Sequence, residues 1–186
     1  MNLTIPATPS SSAPGQLIFD HQRPAFDKLA AVAKVCISIQ RETLPIRPRT
    51  NSLIIGPTGS GKTFLAKAVA DELGVALLSI SVSEWILLGC NKRGASTTCP
   101  VIVRFLLKNK EAPGVLIFVD EIDKVGGQSS WEAFLRTEIF QLLDLNIPGS
   151  LNDDEERAYT DEETAKAREV LSNRTFLLAA GAFQHL

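Results

Sequence analysis

Eight consecutive residues, Gly56-Pro57-Thr58-Gly59-Ser60-Gly61-Lys62-Thr63, fit the pattern G-x-x-x-x-G-K-[ST]. The chemistry this spacing serves is polyphosphate binding. Three glycines in six residues let backbone N–H groups curl around an anion with no Cβ in the way. The Lys62 ammonium reaches the β- and γ-phosphates, and the Thr63 hydroxyl is a ligand for Mg²⁺. Asp120 and Glu121 belong with them, because they end an apolar run. Two adjacent carboxylates can divide the labour. Asp120 holds Mg²⁺, directly or through its water, and Glu121 orients and polarises a water for attack on a γ-phosphate. The bland readings are a Gly-rich turn that happens to precede a lysine, and a strand end with two solvated acids. Loop and acids together outweigh both. The loop alone also suits nucleotide kinases, transporter ATPases and helicases. A kinase would need a second substrate pocket, and no phosphoacceptor site is legible.

These residues need elements to hold them. Ser52–Ile55 is a short apolar run that reads as a strand entering the loop. Leu65, Val69 and Leu73 then recur at helical spacing, and Gly74 supplies a left-handed stop. A helix starting near Lys62 aims its positive end at the loop. Val115–Val119 reads as a buried strand running straight into Asp120. Val75–Ile80 reads as a strand buried on both faces, and Thr175–Ala180 as a fourth strand. Helices are expected from Pro24, with Phe26, Leu29, Ala33 and Cys36 on one face, ending before Pro45. Ser81–Trp85 suggests a short helix, followed by a loop over Gly89–Thr98 with Lys92 and Arg93 near its tip. Pro100 opens a helix to about Lys110, with Val101, Phe105 and Leu106 on its apolar side. Ser129-x-x-Glu132 is a capping box for a helix carrying Trp131, Leu135, Ile139 and Leu142. Thr160 caps another that runs to about Leu171. The alternation of strands and helices implies parallel βαβ units in a three-layer α/β/α sandwich. Ligands in such sheets bind at the carboxyl ends of the strands, where Gly56 and Asp120 both fall.

The chain has 186 residues, 45% hydrophobic, enough for one domain with a core. Residues 1–16, rich in Pro, Ser and Thr, read as a disordered leader, and 17–186 as the folded core. A formal net charge of −2 argues against a general nucleic-acid surface. No apolar run approaches the ~18 residues that span a membrane. Cys36, Cys90 and Cys99 lack C-x-x-C spacing and read as reduced cysteines of a cytoplasmic protein. His21 and His185 are too isolated to suggest a metal centre. The acidic runs at 153–156 and 161–163 read as a solvated surface excursion.

G-P-T-G-S-G-K-T, then V-L-I-F-V-D-E-I-D-K, then a short strand ending in G-A-F-Q, together resemble the AAA+ ATPases. Within that family the chain is most similar to the branch containing the ATPase subunits of the Clp and Hsl proteases. The resemblance runs from about residue 17 to 186. It implies a P-loop fold with sheet order 5-1-4-3-2, and a homo-oligomeric ring, usually a hexamer, with ATP between neighbours and a protein as the remodelled partner. It implies the roles given to Lys62, Thr63, Asp120 and Glu121, and it places Ile18 and Phe19 in the adenine pocket. The chain also departs from the pattern. Where protein-unfolding members carry an aromatic–hydrophobic–glycine pore loop, it has Gly89-Cys90-Asn91, with Trp85 upstream. The family's polar sensor falls near Ala179–Gly181, where no Asn or Thr stands. Arg157, Arg168 and Arg174 precede the fourth strand and do not match the arginine finger. In the family the finger, a fifth strand and a helical lid come after this point, so the chain reads as a piece of a longer protein, weakly active alone. Two other functions stay open: an ATP-dependent assembly or switch module with little turnover, and a nucleic-acid motor or loader.

Overall fold

The structure, a computed structural model, describes residues 18–38, 51–91, 98–125, 130–147 and 159–183. The leader, Arg157, Lys92, Arg93, Ser129, the acidic run 153–156 and His185 lie outside these. A 3-10 turn at Asp20–Gln22 leads into α1 (Arg23–Ser38). Then come β1 (Ser52–Ile55), α2 (Lys62–Leu73), β2 (Ala76–Ser81), α3 (Val82–Asn91), α4 (Thr98–Lys108) and β3 (Val115–Asp120). A second 3-10 turn, Ile122–Lys124, precedes α5 (Ser130–Leu143), α6 (Asp161–Arg174) and β4 (Thr175–Gly181).

The four strands form one parallel sheet in the order β1-β4-β3-β2. This is the order expected without a fifth strand among the described residues. Helices cover both faces, as a parallel sheet requires. Alternation along the strands divides the core into two layers. Leu116, Phe118, Phe176, Leu178 and Ala180 face α1 and α2, meeting Phe26, Leu29, Ala33, Leu65 and Val69. Ile117, Val119 and Leu177 face the other way, onto Trp85, Ile102, Leu106, Ile139 and Leu171. The α1 stripe named from spacing is the one that buries, whereas Leu73 on α2 and Val101 on α4 are only half-buried. Phe26, Leu29, Ala33 and Cys36 on α1 are all buried.

Three expectations need correction. β2 is not buried on both faces: it is an edge strand, and Ser79 is exposed. Its apolar composition pairs it with β3 on one side only. The helix expected over Ser81–Trp85 runs from Val82 to Asn91 and absorbs Gly89, a residue expected in the loop. Its reason is Trp85, which is 1% exposed and donates its Nε1–H to the buried Glu138 Oε2 on α5 at 3.2 Å, anchoring the helix. Trp85 is therefore a core residue, not a pore aromatic. α4 begins at Thr98 rather than Pro100 and stops at Lys108; Pro100 still lies in its first turn, where a missing N–H costs nothing. The Thr160 cap on α6 is present in both halves: Glu163 N–H donates to Thr160 Oγ1 at 3.2 Å, and Thr160 N–H to the Glu163 carboxylate at 3.1 Å.

Candidate functional site

The site is built where β1, β4 and β3 end. β1 hands the chain to the loop 56–61, and Gly56 N–H donates to Gly181 O at 3.2 Å, tying the loop's first residue to the last of β4. Gly59 and Gly61 both adopt positive φ, 80° and 81°. Gly61 is the residue before α2, and no side chain caps that helix start, nor is any acid present in its first turn. The first amides of a helix have no partner within it. Here they are left open beneath the glycine loop, and the helix dipole adds partial positive charge. The donor set fits a phosphate group. Lys62 Nζ meanwhile donates to Gly56 O at 2.8 Å and Pro57 O at 3.0 Å, folded back over the loop.

Asp120 comes to the loop across β4. On β3 it alternates with Leu116 and Phe118, so it points to the α2 side of the sheet. On the strand between, Val119 is in register with Ala179, and the next residue facing α2 is the small Ala180. Nothing bulky intervenes, and Thr63 Oγ1 donates to Asp120 Oδ2 at 2.8 Å. The two expected Mg²⁺ ligands are thus adjacent, though 57 positions apart in sequence. Two hard oxygen donors beside a phosphate cradle suit an ion that is held by few protein ligands and by the substrate's phosphates.

Glu121 leaves the strand in a left-handed conformation, φ 60°, with its N–H donating to Asp120 Oδ1 at 2.8 Å. Its carboxylate is engaged on both oxygens. Ser81 Oγ donates to Oε2 at 2.7 Å, and Lys124 Nζ donates to Oε1 while also reaching Ser83 Oγ at 3.2 Å. The Lys124 ammonium above all, then the Ser83 and Ser81 hydroxyls, hold the Glu121 carboxyl down at about 2. It is an anion throughout the physiological range. Ser81, Ser83 and Lys124 were not singled out from sequence. The signal for Lys124 was its place three residues after Glu121 on a helical turn; the serines carried none.

The two residues placed in an adenine pocket separate. Ile18 is buried against α1 and α2. Phe19 is 56% exposed, stacked on His21 with ring centroids 5.8 Å apart, and 6.3 Å from the ring of Phe64 on α2. Phe19 therefore offers an aromatic face beside the loop, and Ile18 packs underneath. Phe64 and His21 join that face, neither of them expected there. Ala179 and Ala180 are buried at the end of β4, and there the polar contact comes instead from Asp123, which accepts from Ala182 N–H at 3.1 Å. Gly181 allows this approach, since a Cβ there would lie 2.7 Å from Asp123 Oδ1. Arg174 is tied to Lys110 O, Ala112 O and Glu169 at the opposite end of β4, away from the loop. Gly89-Cys90-Asn91 form the last turn of α3, and their side chains lie outside the described set.

Comparison with known proteins agrees with this geometry. The profile of the "ATPase family associated with various cellular activities (AAA)" matches residues 52–145, just over half of the chain. The ATP-dependent zinc metalloprotease FTSH 2, chloroplastic, of Arabidopsis thaliana is 51% identical over 77 residues, 41% of this chain and 10% of that protein. FtsH of Bacillus subtilis (strain 168) is 50% identical over 78 residues, 41% of this chain and 11% of that protein. The matched stretch thus spans about a tenth of the length of these relatives. They are FtsH proteins, not Clp or Hsl subunits, so the likeness is carried at the level of the AAA family and not of that branch. Among solved structures, the FIGL-1 AAA domain in complex with ADP covers 90% of this chain and 47% of its own, with a TM-score of 0.51 and 16% identity. That similarity shows the fold. Among the described residues no group of three or more His, Cys, Asp or Glu side chains could hold a metal ion.

Proposed function

This chain belongs to the ATPase family associated with various cellular activities (AAA), and from that premise we propose that it is an MgATP-binding core that hydrolyses ATP within a ring, a hexamer, to remodel proteins. The observation that carries the reading is the 2.8 Å contact between Thr63 and Asp120, which joins the glycine loop to the strand end bearing Glu121. The loop amides and the open start of α2 receive the phosphates. Lys62 exchanges its two carbonyl acceptors, Gly56 O and Pro57 O, for β- and γ-phosphate oxygens. Both exchanges keep the ammonium's hydrogen bonds, so little is lost in turning it. Thr63 and Asp120 hold Mg²⁺, which when bound neutralises charge developing on the phosphates. Glu121 orients the attacking water. Phe19, with Phe64 and His21, lines the adenine side.

Ring assembly and the protein partner follow the family and the ATP-dependent proteases among the relatives. A narrower kinship with Clp and Hsl subunits rests on the motifs G-P-T-G-S-G-K-T, V-L-I-F-V-D-E-I-D-K and G-A-F-Q together. No helix among the described residues is long and apolar enough to cross a membrane. Cys36 and Cys99 are buried and in no disulfide among the described residues, which suits a reducing, cytoplasmic setting.

A second reading, an ATP-binding switch with little turnover, has its own support in Glu121. A carboxylate held near 2 by Lys124, Ser83 and Ser81 is a weak proton acceptor and is already committed to other donors. Titration with a fluorescent ATP analogue and a steady-state phosphate-release assay separate the readings. Tight binding with turnover supports the hydrolase, tight binding without turnover in the assembled state supports the switch, and no binding removes both.

A further inference from the structure

We propose that Gln22 is a positioning residue that holds the glycine loop in its anion-accepting shape. The inference rests on the reading of residues 56–63 as the phosphate site. Gln22 ends the 3-10 turn before α1, and its side chain is 7% exposed. Its Nε2 donates to Ser60 O at 2.9 Å, across 38 positions of sequence. The amide orientation is settled by chemistry, because the reverse would face two acceptors at each other. The Ser60 carbonyl and the Gly61 N–H belong to one planar trans peptide and point opposite ways. Holding the carbonyl toward Gln22 therefore aims the Gly61 amide to the other side, where the phosphates bind in this reading. The contact is close. A Cβ at Gly61 would lie 2.4 Å from Gln22 Nε2, so the amide lies flush against a left-handed glycine. Ser60 N–H, in the preceding peptide, closes the same turn onto Pro57 O at 3.2 Å, so the two successive peptides on either side of Ser60 are both held.

The second observation is the other half of the amide. Gln22 Oε1 is buried and has no hydrogen-bond partner among the described residues. A buried acceptor left unmatched destabilises a fold, and an apolar side chain there removes that cost while giving up the bond to Ser60 O, so the two effects offset. Stability alone gives glutamine no advantage over methionine or leucine here. The glutamine is explained by the single hydrogen bond it makes to the loop.

The test uses the 186-residue chain and two variants, Gln22→Met and Gln22→Glu, with calorimetric titration of MgATP and of inorganic tripolyphosphate. Gln22→Met is expected to keep the thermal midpoint while weakening both ligands by the same factor, about five- to tenfold, the size of one lost hydrogen bond. Gln22→Glu cannot donate to Ser60 O as an anion but can when protonated. Its deficit, relative to the unchanged chain at each pH, is expected to shrink as the pH falls. Unchanged affinity in Gln22→Met overturns the proposal. So does a loss confined to MgATP, which would mean a contact with the base. A fall in midpoint that accounts for the lost binding overturns it as well, since Gln22 would then be a packing residue. If the unchanged chain binds neither ligand, the phosphate-site reading fails first and takes this inference with it. If it binds both but Gln22→Met does too, only the inference fails.

Discussion

At the scale of single residues, charge and hydrogen-bond inventory decide what each side chain can do. Lys62 is the one side chain in the loop that brings a full positive charge to the phosphates. Lys62→Ala is expected to abolish ATP binding with the fold intact, read by nucleotide titration beside circular dichroism; unchanged affinity would remove the phosphate-site assignment. Asp120→Asn and Glu121→Gln should differ. The first loses charge beside Thr63 and weakens the Mg²⁺ dependence of binding, while the second keeps binding and loses turnover, because an amide can hold a water but not take its proton. Identical behaviour in both assays would contradict the division of roles. Glu121 also carries a pH signature. Its carboxyl is lowered from 4.5 to about 2, chiefly by Lys124. Between those values the unfolded chain binds the proton and the folded chain does not, so stability rises with pH there. The contribution is complete above 4.5 and is lost as the pH falls toward 2. Lys124→Ala should flatten this part of the acid-unfolding curve, and an unchanged slope in denaturant melts would show that Lys124 is not the cause.

At the scale of elements, the loop depends on backbone that only glycine adopts cheaply. Gly61→Ala places a Cβ at φ 81° and against the Gln22 amide. The left-handed conformation alone costs about 1–2 kcal/mol for a residue with a Cβ. Chemical denaturation is expected to show at least that loss, with ATP binding reduced as well. α6 offers a control remote from the site. Thr160 and Glu163 satisfy each other's amides at its start, and Thr160→Ala should cost about 1 kcal/mol with ATP affinity unchanged.

At the scale of the whole molecule, the sheet ends in β1, which pairs only with β4 among the described residues. Leu53 and Ile55 are 50% and 64% exposed on it. An apolar strand edge recruits other chains. Replacing both by lysine is expected to lower light scattering of the 186-residue chain at high concentration without changing its helical content. Ring assembly makes a separate prediction. If ATP lies between neighbours, turnover per chain rises with protein concentration, and a specific activity independent of concentration would argue against a shared site.

Much of this was legible in the residues themselves. The eight-residue loop, the turn at Gly74, the strand before Asp120, the Thr160 cap and the stripe of Phe26, Leu29, Ala33 and Cys36 are written in periodicity and turn chemistry. Both act over a few residues and need no partner from elsewhere. What the tertiary structure decided lies between segments far apart in the chain. Thr63 meets Asp120 because β4 inserts small residues between β1 and β3. Gln22 meets Ser60 because the first 3-10 turn lies against the loop. Glu121 finds Ser81 because parallel pairing puts Ser81 in register with Asp120. The exposure of β2 differs from expectation for the same reason: an apolar run shows that a segment is buried, but its place in the sheet decides on how many sides.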